Sequence, residues 1–234
     1  MSGVGLVVAM AATARAGEAR ELAAREAFTA GVLQAGGEPQ PYASLATELD
    51  GARVQIRIDA LGDVPLFDRV HLVLRVADIA SAGDAKPGAG VGLEVLRRDR
   101  TRALVYLQYK LEGFSEPEGE LEAVFAIGHQ LGALHATANV AYGQDWEARE
   151  RDAELALAAH VEPVRGMFAG VTARYRDALG TAVEPIRRDG FAGATGTVTY
   201  GRIGVTLMGG IAMAETVEAR RYGPSATLVL GSVF

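Results

Sequence analysis

Segments in which apolar and polar residues alternate follow one another from residue 42 to the last residue, 234. Side chains of a β-strand point alternately to its two faces, so this period of two predicts strands with one apolar and one polar face. In one such segment, Val54, Ile56 and Ile58 alternate with Arg53 and Arg57. The segments cover residues 42–50, 52–61, 68–78, 88–98, 102–112, 119–130, 132–142, 150–161, 165–176, 191–200, 203–214 and 226–234. The chain is therefore predicted to be all-β from residue 42 onwards.

The connections between these segments alternate in length. Counted back from residue 234, the short ones fall at 201–202, 162–166, near Leu131, and at 99–101 and 62–67. The longer ones fall at 215–225, 177–190, 143–149, 113–118 and 79–87, and the hairpin at Asp50 and Gly51 departs from the alternation. Short turns at one end and long loops at the other are typical of transmembrane barrels. Residues 42–234 are thus predicted to form a closed antiparallel up-and-down transmembrane β-barrel of about 12 strands, within a range of about 10–12.

The first 41 residues follow a different pattern. Residues 1–16 combine a short apolar stretch with an A-x-A cleavage pattern at Ala14 to Ala16, which predicts a signal peptide. Residues 17–41 predict a short N-terminal helix and a linker, because apolar and small residues recur at helical spacing before Gly36, Gly37 and Pro39. The residues on that helical face are Ala24, Ala27, Phe28, Gly31 and Val32. The helix has two possible places, in the periplasm or as a plug in the barrel, and the sequence leaves both open.

The last segment, 226–234, is about the length that a tilted strand needs to cross a bilayer, and it ends on Phe234. With its terminal aromatic residue, it resembles the closing strand of small outer-membrane β-barrel proteins of Gram-negative bacteria, many of which have no assigned function. The resemblance covers residues 42 to 234 and implies a closed barrel in the outer membrane, with lipid outside and a polar interior. It also implies that the barrel-assembly machinery reads the C-terminal strand and Phe234. It implies no activity.

The polar faces of the predicted strands carry charges of both signs, which would line the lumen. These residues are Arg53, Arg57, Asp59, Arg69, Arg75, Glu94, Lys110, Glu120, Glu122, Asp152, Glu154, Arg174 and Arg176. Unpaired charges away from bulk water are costly, so mixed signs favour ion pairs that brace the interior. The predicted function is that of a structural or surface protein, or of a narrow channel with a charge-braced lumen, without enzymatic activity.

Several aromatic residues fall at or near the predicted strand ends, where the aromatic girdles of membrane barrels lie. They are Tyr142, Trp146, Tyr175, Tyr200 and Tyr222. Aromatic residues that pack against turns are the alternative.

Composition and motifs argue against several other classes of function. The chain has no cysteine, which excludes disulfides and thiolate metal sites, and its four histidines lie in separate segments without metal-ligand spacing. A net charge of −6 and the absence of a basic stripe argue against nucleic-acid binding. No glycine-rich phosphate loop opens a helix, so no cofactor is predicted. No apolar run after the N-terminus is long enough for a helical membrane span.

Two alternatives remain open. A soluble, secreted, lipocalin-like barrel that binds an apolar ligand would show the same alternation, but its apolar face would point inward. A lipid hydrolase is the minor alternative, because His135 and Thr137 share one strand face and could act as base and nucleophile. Outer-membrane phospholipase A carries a similar His-x-Ser pair, although here Thr137 stands in place of Ser and the pair lies on the polar face.

Overall fold

A computed structural model describes residues 42–50, 53–77, 86–111, 119–146, 150–179, 186–201 and 203–233. These residues form twelve strands. They are β1 Tyr42–Asp50, β2 Arg53–Phe67, β3 Val70–Ala77, β4 Lys86–Arg98, β5 Thr101–Leu111, β6 Gly119–Leu131, β7 Leu134–Asp145, β8 Arg151–Val164, β9 Met167–Ala178, β10 Ile186–Tyr200, β11 Ile203–Thr216 and β12 Arg220–Val233. Within these residues there is no helix long and apolar enough to cross a membrane. The predicted signal peptide, the predicted N-terminal helix and linker, and Phe234 lie outside the described residues.

Each strand pairs antiparallel with the next, and β1 also pairs with β12, which closes the sheet into a barrel. The closing seam runs from Tyr42 opposite Val233 to Asp50 opposite Ser225. The predicted all-β, antiparallel, up-and-down arrangement is confirmed.

The connections divide the barrel into two ends. Five two-residue connections, at 68–69, 99–100, 132–133, 165–166 and 201–202, lie at what we call the turn end, where β1 also begins and β12 ends. The other end, the loop end, carries the connections 51–52, 78–85, 112–118, 146–150, 179–185 and 217–219. Tight turns of this kind favour glycine, and Gly132, Gly166 and Gly201 adopt φ of 60°, 77° and 63°.

One predicted connection is wrong. Residues 62–67 are not a turn but the last part of β2, and the chain reverses at Asp68 and Arg69 instead. Gly62 and Pro65 suggested a break, because proline cannot donate to a β-ladder. In the structure the ladder tolerates Pro65 because the register between β2 and β3 shifts between Pro65 and Phe67.

The barrel wall is apolar on the outside. Large apolar side chains are exposed on successive strands, and they include Leu134, Val140, Leu155, Leu157, Val171, Leu228 and Leu230, each 37% to 61% exposed. On β11 the outward side chains of Ile203, Val205, Leu207 and Ile211 are all exposed. The buried residues lie on the opposite face of the wall, which lines the lumen. The two faces therefore separate apolar residues outside from a mixed polar and apolar interior.

Candidate functional site: the lumen of the barrel

A band of charged side chains lines the lumen near the loop end, and we call it the charge band. Its members come from β3, β5, β6, β8, β9 and β10, and they are Arg75, Lys110, Glu120, Glu122, Asp152, Glu154, Arg174, Arg176 and Asp189. Lys110 Nζ lies 3.1 Å from Glu120 Oε2 and is also paired with Glu122. Gln108 donates a hydrogen bond to Glu122 from within β5. The register explains these contacts, because Gln108 lies opposite Glu122 and Lys110 lies opposite Glu120.

The charge band continues on β8, β9 and β10. Arg176 Nε donates to Asp152 Oδ2 at 2.7 Å, and its NH1 lies 3.9 Å from Asp189 Oδ2. Arg174 NH2 donates to Asp189 Oδ1 at 2.8 Å. Asp189 thus lies between two guanidinium groups of the neighbouring strand. With four basic and five acidic members, the charge band has no strong excess of either sign.

Gly143 on β7 gives the charge band the space it needs. It lies opposite Glu122 on β6 and Asp152 on β8. A Cβ atom at this position would lie 1.4 Å from Glu120 Oε1 and 2.6 Å from Asp152 Oδ1. A side chain here would therefore displace both carboxylates from their present positions.

A second ionic cluster lies near the turn end around Glu94, whose side chain is fully buried. Arg102 Nε on β5 donates to Glu94 Oε1 at 2.9 Å, and Arg97 Nε donates to Glu94 Oε2 at 2.8 Å. Arg97 also reaches the turn between β2 and β3, where its NH2 donates to the carbonyl oxygen of Asp68 at 2.9 Å. This cluster ties the turn between β2 and β3 to β4 and β5, because a carboxylate and two guanidinium groups satisfy one another.

Between the two ionic regions the inner wall carries short side chains. Apolar examples are Val73, Ala126, Ala156 and Val229, which are 0% to 1% exposed. Polar examples are Thr137, Asn139, Thr195, Thr197, Thr206 and Thr227, all 8% exposed or less. Thr197 and Thr206 share a hydrogen bond of 2.6 Å across β10 and β11. Among the described residues, the side-chain atoms of Asn139 and the hydroxyl groups of Thr137 and Thr195 have no hydrogen-bond partner.

The two residues of the hydrolase alternative face the lumen. His135 on β7 stacks edge-on with His160 on β8, with ring centroids 5.0 Å apart, and His160 packs against Phe168. Thr137 is buried on the same face, and its hydroxyl group is not hydrogen-bonded to a described residue. A base must lie within hydrogen-bond reach of the proton that it removes. Because the Thr137 hydroxyl group has no hydrogen-bond partner among the described residues, His135 is not hydrogen-bonded to it.

Most of the charged residues that were predicted to line the lumen lie on its wall. Glu94, Lys110, Glu120, Glu122, Asp152, Glu154, Arg174 and Arg176 lie on the inner face of their strands, and Arg75 lies on that face of β3, half-buried. Arg69 does not, because it belongs to the turn between β2 and β3 and its side chain is 55% exposed. Arg53, Arg57 and Asp59 lie on β2, but their side chains are outside the described part of the structure.

Three further residues of the ionic clusters were missed in the sequence, namely Asp189, Arg97 and Arg102. Asp189 falls in residues 177–190, which the sequence predicts as a loop, whereas β10 begins at Ile186. Arg97 and Arg102 flank the turn at 99–100, where side chains usually meet solvent. The only signal in the sequence was the alternation of strand faces, which places Arg102 on the same face as Leu104 and Tyr106. Both of these residues are buried.

The predicted girdle residues are exposed on the outside of the barrel or in its loops. Tyr142, Tyr175 and Tyr222 lie towards the loop end and are 40%, 41% and 66% exposed. Trp146 lies in the connection after β7 and is 84% exposed, and Tyr200 at the turn end is 61% exposed. Tyr109 and Phe67, which are also exposed, were not predicted as members of this set.

Charged residues reappear on the outer face at the loop end, beyond the apolar side chains. Arg188 Nε lies 3.3 Å from Asp177 Oδ2, and its NH1 lies 3.5 Å from Glu215 Oε1. Glu215 also pairs with Arg220. Glu215 follows Ile211 by four residues on β11. Because alternate residues of a strand point to the same face, only one outward position separates the apolar outer face from these ion pairs.

Metal binding finds no support in the described residues, which contain no group of three or more His, Asp or Glu side chains able to hold an ion.

A closed antiparallel barrel with an apolar exterior and a charged interior is the fold of bacterial outer-membrane barrels. Solved structures with similar folds include the NanC porin, with a TM-score of 0.59 and 6% identity over 83% of this chain and 98% of that one. The COG4313 outer membrane channel of Pseudomonas putida F1 has a TM-score of 0.59 and 11% identity over 87% and 98%. LpxR from Salmonella typhimurium has a TM-score of 0.51 and 8% identity over 82% and 100%. These likenesses concern the fold. No family model and no curated protein sequence matches the chain.

Proposed function

We propose that the protein is a twelve-stranded transmembrane barrel of a Gram-negative outer membrane, serving as a narrow channel or a structural surface protein with a charge-braced lumen and no enzymatic activity. The observation that carries the proposal is the apolar outer face. On β11 this face runs from Ile203 to Ile211. The eight residue-to-residue steps from Ile203 to Ile211 span about 26 Å, or about 20 Å of height at a tilt of about 40°. That height suits the apolar band of an outer-membrane barrel, which is about 25 Å tall.

The boundaries of the apolar face also suit a bilayer. Tyr142, Tyr175 and Tyr222 lie near its loop end, where phenol groups would reach the lipid headgroups. The outer charged pairs around Arg188 and Glu215 lie further towards the loop end, where water and headgroups replace acyl chains. The turn end would then lie in the periplasm and the loop end outside the cell. The bilayer and, through the C-terminal strand and Phe234, the barrel-assembly machinery are the proposed partners.

The geometry does not favour the two alternatives. A lipocalin-like protein needs an apolar lumen, whereas Leu155, Leu157 and Leu230 point outward and the charged groups point inward. A hydrolase working on membrane lipid needs its nucleophile accessible to lipid, whereas Thr137 is buried on the lumen side. Two of the three similar structures described above are a porin and a channel by name, which supports the proposed class.

The ionic clusters support a narrow path rather than a wide pore. Ion pairs of the charge band hold long side chains against the wall and against each other. The near balance of signs in the charge band gives little reason for strong selectivity between anions and cations.

Membrane fractionation and planar-bilayer recording test the proposal. The protein, expressed with residues 1–16, is expected in the outer-membrane fraction as a species that resists SDS until heated. Reconstituted protein is expected to show little or no steady conductance. Recovery as a soluble protein that binds a fluorescent fatty acid would overturn the membrane assignment. A large, well-defined conductance would overturn the closed, charge-braced lumen while leaving the membrane assignment intact.

A further inference from the structure

A groove crosses the outer face of the barrel from β6 to β10, and we call it the outer groove. Its volume is 810 Å³, within the range of about 300–1,000 Å³ for pockets that hold small ligands. Five of its outward positions are alanines, namely Ala136, Ala138, Ala159, Ala173 and Ala192. Larger side chains stand beside them, since Ala159 lies between Leu157 and Val161 on the outer face of β8. The groove therefore follows the short side chains of an otherwise bulky apolar face.

The outer groove rises from the turn end towards the middle of the outer face. His129, which lines its lower end, lies two residues from the turn-end limit of β6 at Leu131. Ala192, which lines its upper end, lies eight residues from the turn-end limit of β10 at Tyr200. The difference of six residues is about 20 Å along a strand, or about 15 Å of height at a tilt of about 40°. That height equals one leaflet of a hydrocarbon core about 30 Å thick.

Polar and basic side chains stand at the lower end of the outer groove. The register places Arg98 opposite Thr101 and Thr101 opposite His129, so the three share the outer face in one row. Thr101 Oγ1 and His129 Nδ1 lie 2.8 Å apart. When the hydroxyl group donates to Nδ1, Nε2 carries the ring hydrogen and can donate to an anion. Arg98 and Arg100 are exposed and outnumber Asp99, the acidic residue of the same turn. The lower end is therefore complementary to negative charge.

We propose that the outer groove holds one acyl chain of a periplasmic-leaflet phospholipid whose anionic headgroup lies beside Arg98 and His129. The inference rests on the proposed function, which supplies the bilayer and the periplasmic side. The lower end meets the headgroup where basic residues attract anionic lipids. The acyl chain then lies along the alanines up to the middle of the bilayer, where each buried CH₂ group contributes to binding.

The shape of the outer groove favours a lipid over a second copy of the chain. Ala159 is half-buried although it points outward, because Leu157 and Val161 project on either side of it. The wall of a second barrel is convex, so these two side chains would hold it away from Ala159. A flexible hydrocarbon chain can enter a trough that is bounded on both sides.

Native mass spectrometry of the SDS-resistant protein in a mild detergent tests the binding. The probes are phosphatidylglycerol and phosphatidylcholine with identical acyl chains. We expect one retained lipid per barrel and a preference of about fivefold for phosphatidylglycerol, the factor that one arginine near an anionic lipid contributes. Arg98→Ser should remove this preference, whereas Arg165→Ser, in the exposed turn between β8 and β9, should keep it.

A second pair of variants tests the acyl chain in the same experiment. Ala159→Leu fills the trough and should weaken retention of both lipids at least about tenfold, which corresponds to about two lost CH₂ contacts. Ala123→Leu, at an outward alanine of β6 outside the outer groove, is the matched control and should retain lipid like the unmodified protein. Equal retention by the two variants would overturn the proposal, and so would a preference that Arg98→Ser leaves unchanged. A lipid-free dimer that Ala159→Leu dissociates would assign the groove to a second copy and also overturn it.

Photo-crosslinking locates the lipid in a bilayer. The unmodified protein is reconstituted in vesicles with a trace of phosphatidylglycerol that carries a diazirine in one acyl chain, irradiated and digested. We expect an excess of crosslinks in peptides of β7 to β9, and we expect Ala159→Leu to remove the excess. Crosslinks spread evenly over the strands would overturn the proposal. Recovery as a soluble protein would overturn the membrane assignment together with this proposal, whereas an SDS-resistant barrel without a preferred lipid would overturn this proposal alone.

Discussion

Arg174 and Arg176 provide the most direct test of the charge band. Arg176 neutralises Asp152 at 2.7 Å and contributes to Asp189 at 3.9 Å, while Arg174 holds Asp189 at 2.8 Å. Arg176→Ser leaves Asp152 without its ion-pair partner. Arg174→Ser leaves Asp189 with the weaker contact to Arg176. The double variant removes both cations from the two carboxylates.

The expected loss of stability lies between the values for surface and buried ion pairs. Side chains of Arg174 and Arg176 are 35% and 33% exposed, and those of Asp189 and Asp152 are 22% and 24% exposed. Breaking a buried pair costs about 3–5 kcal/mol, whereas exposed pairs contribute about 0–1 kcal/mol. At one-third exposure we expect about 1–2 kcal/mol for Arg176→Ser. Because the two arginines share Asp189, the double variant should lose more than the sum of the singles, by about 0.5–1 kcal/mol.

Urea titration in lipid vesicles, followed by circular dichroism, measures the free energy of unfolding. Arg165→Ser, in the exposed turn between β8 and β9, is the matched control and should change stability by less than about 0.5 kcal/mol. In planar bilayers the double variant leaves two basic and five acidic members in the charge band, so any added conductance should prefer cations. Unchanged stability in the double variant, or an added conductance that prefers anions, would refute the bracing argument.

Three further predictions concern the wall and its assembly. Gly143→Val should destabilise the barrel by about 1–3 kcal/mol in the same titration, because the new side chain displaces Glu120, whereas Gly209→Val, at a position with no atom in the way, should not. Leu157→Arg, near the middle of the outer face, should lower the free energy of unfolding in vesicles by about 2–4 kcal/mol, whereas Val164→Arg at the turn end should lower it by only about 0–1 kcal/mol. Equal losses would contradict a bilayer around this face. Deletion of Phe234 should lower the SDS-resistant yield in outer membranes, and an unchanged yield would remove its role as an assembly signal.

The strand pattern of this chain could be predicted because the outer face of the strands is apolar and the inner face largely polar. Leu155 and Leu157 alternate with buried inward residues on β8, and the period of two is visible over the whole strand. The ends of strands were less predictable. β10 begins at Ile186 and β12 at Arg220, within stretches that read as loops because they contain several charged residues. Strands of this barrel extend beyond the apolar face, where the pattern that identifies them no longer applies.

The partners in the charge band could not be predicted from sequence for a different reason. The alternation of strand faces assigns Arg174 and Arg176 to the inner face, but the ion-pair partner of each depends on the register between strands. Arg176 lies opposite Glu154 on β8 and Asp189 on β10, yet its shortest contact is with Asp152, two residues along. A long side chain can reach several carboxylates. Composition therefore predicts that the charges form ion pairs, but not which residues pair with each other.

The charges of the lumen are distributed by depth. Near the loop end, Lys110 and Arg176 are 22% and 33% exposed, so water moderates the cost of holding their charges inside the barrel. In the middle of the wall, Thr206 and Val229 are buried and carry no charge. Near the turn end, the carboxylate of Glu94 is fully buried, but the guanidinium groups of Arg97 and Arg102 neutralise it. The wall therefore carries charges where water reaches them or where a partner of opposite sign is in contact, because an unpaired charge away from water would destabilise the barrel.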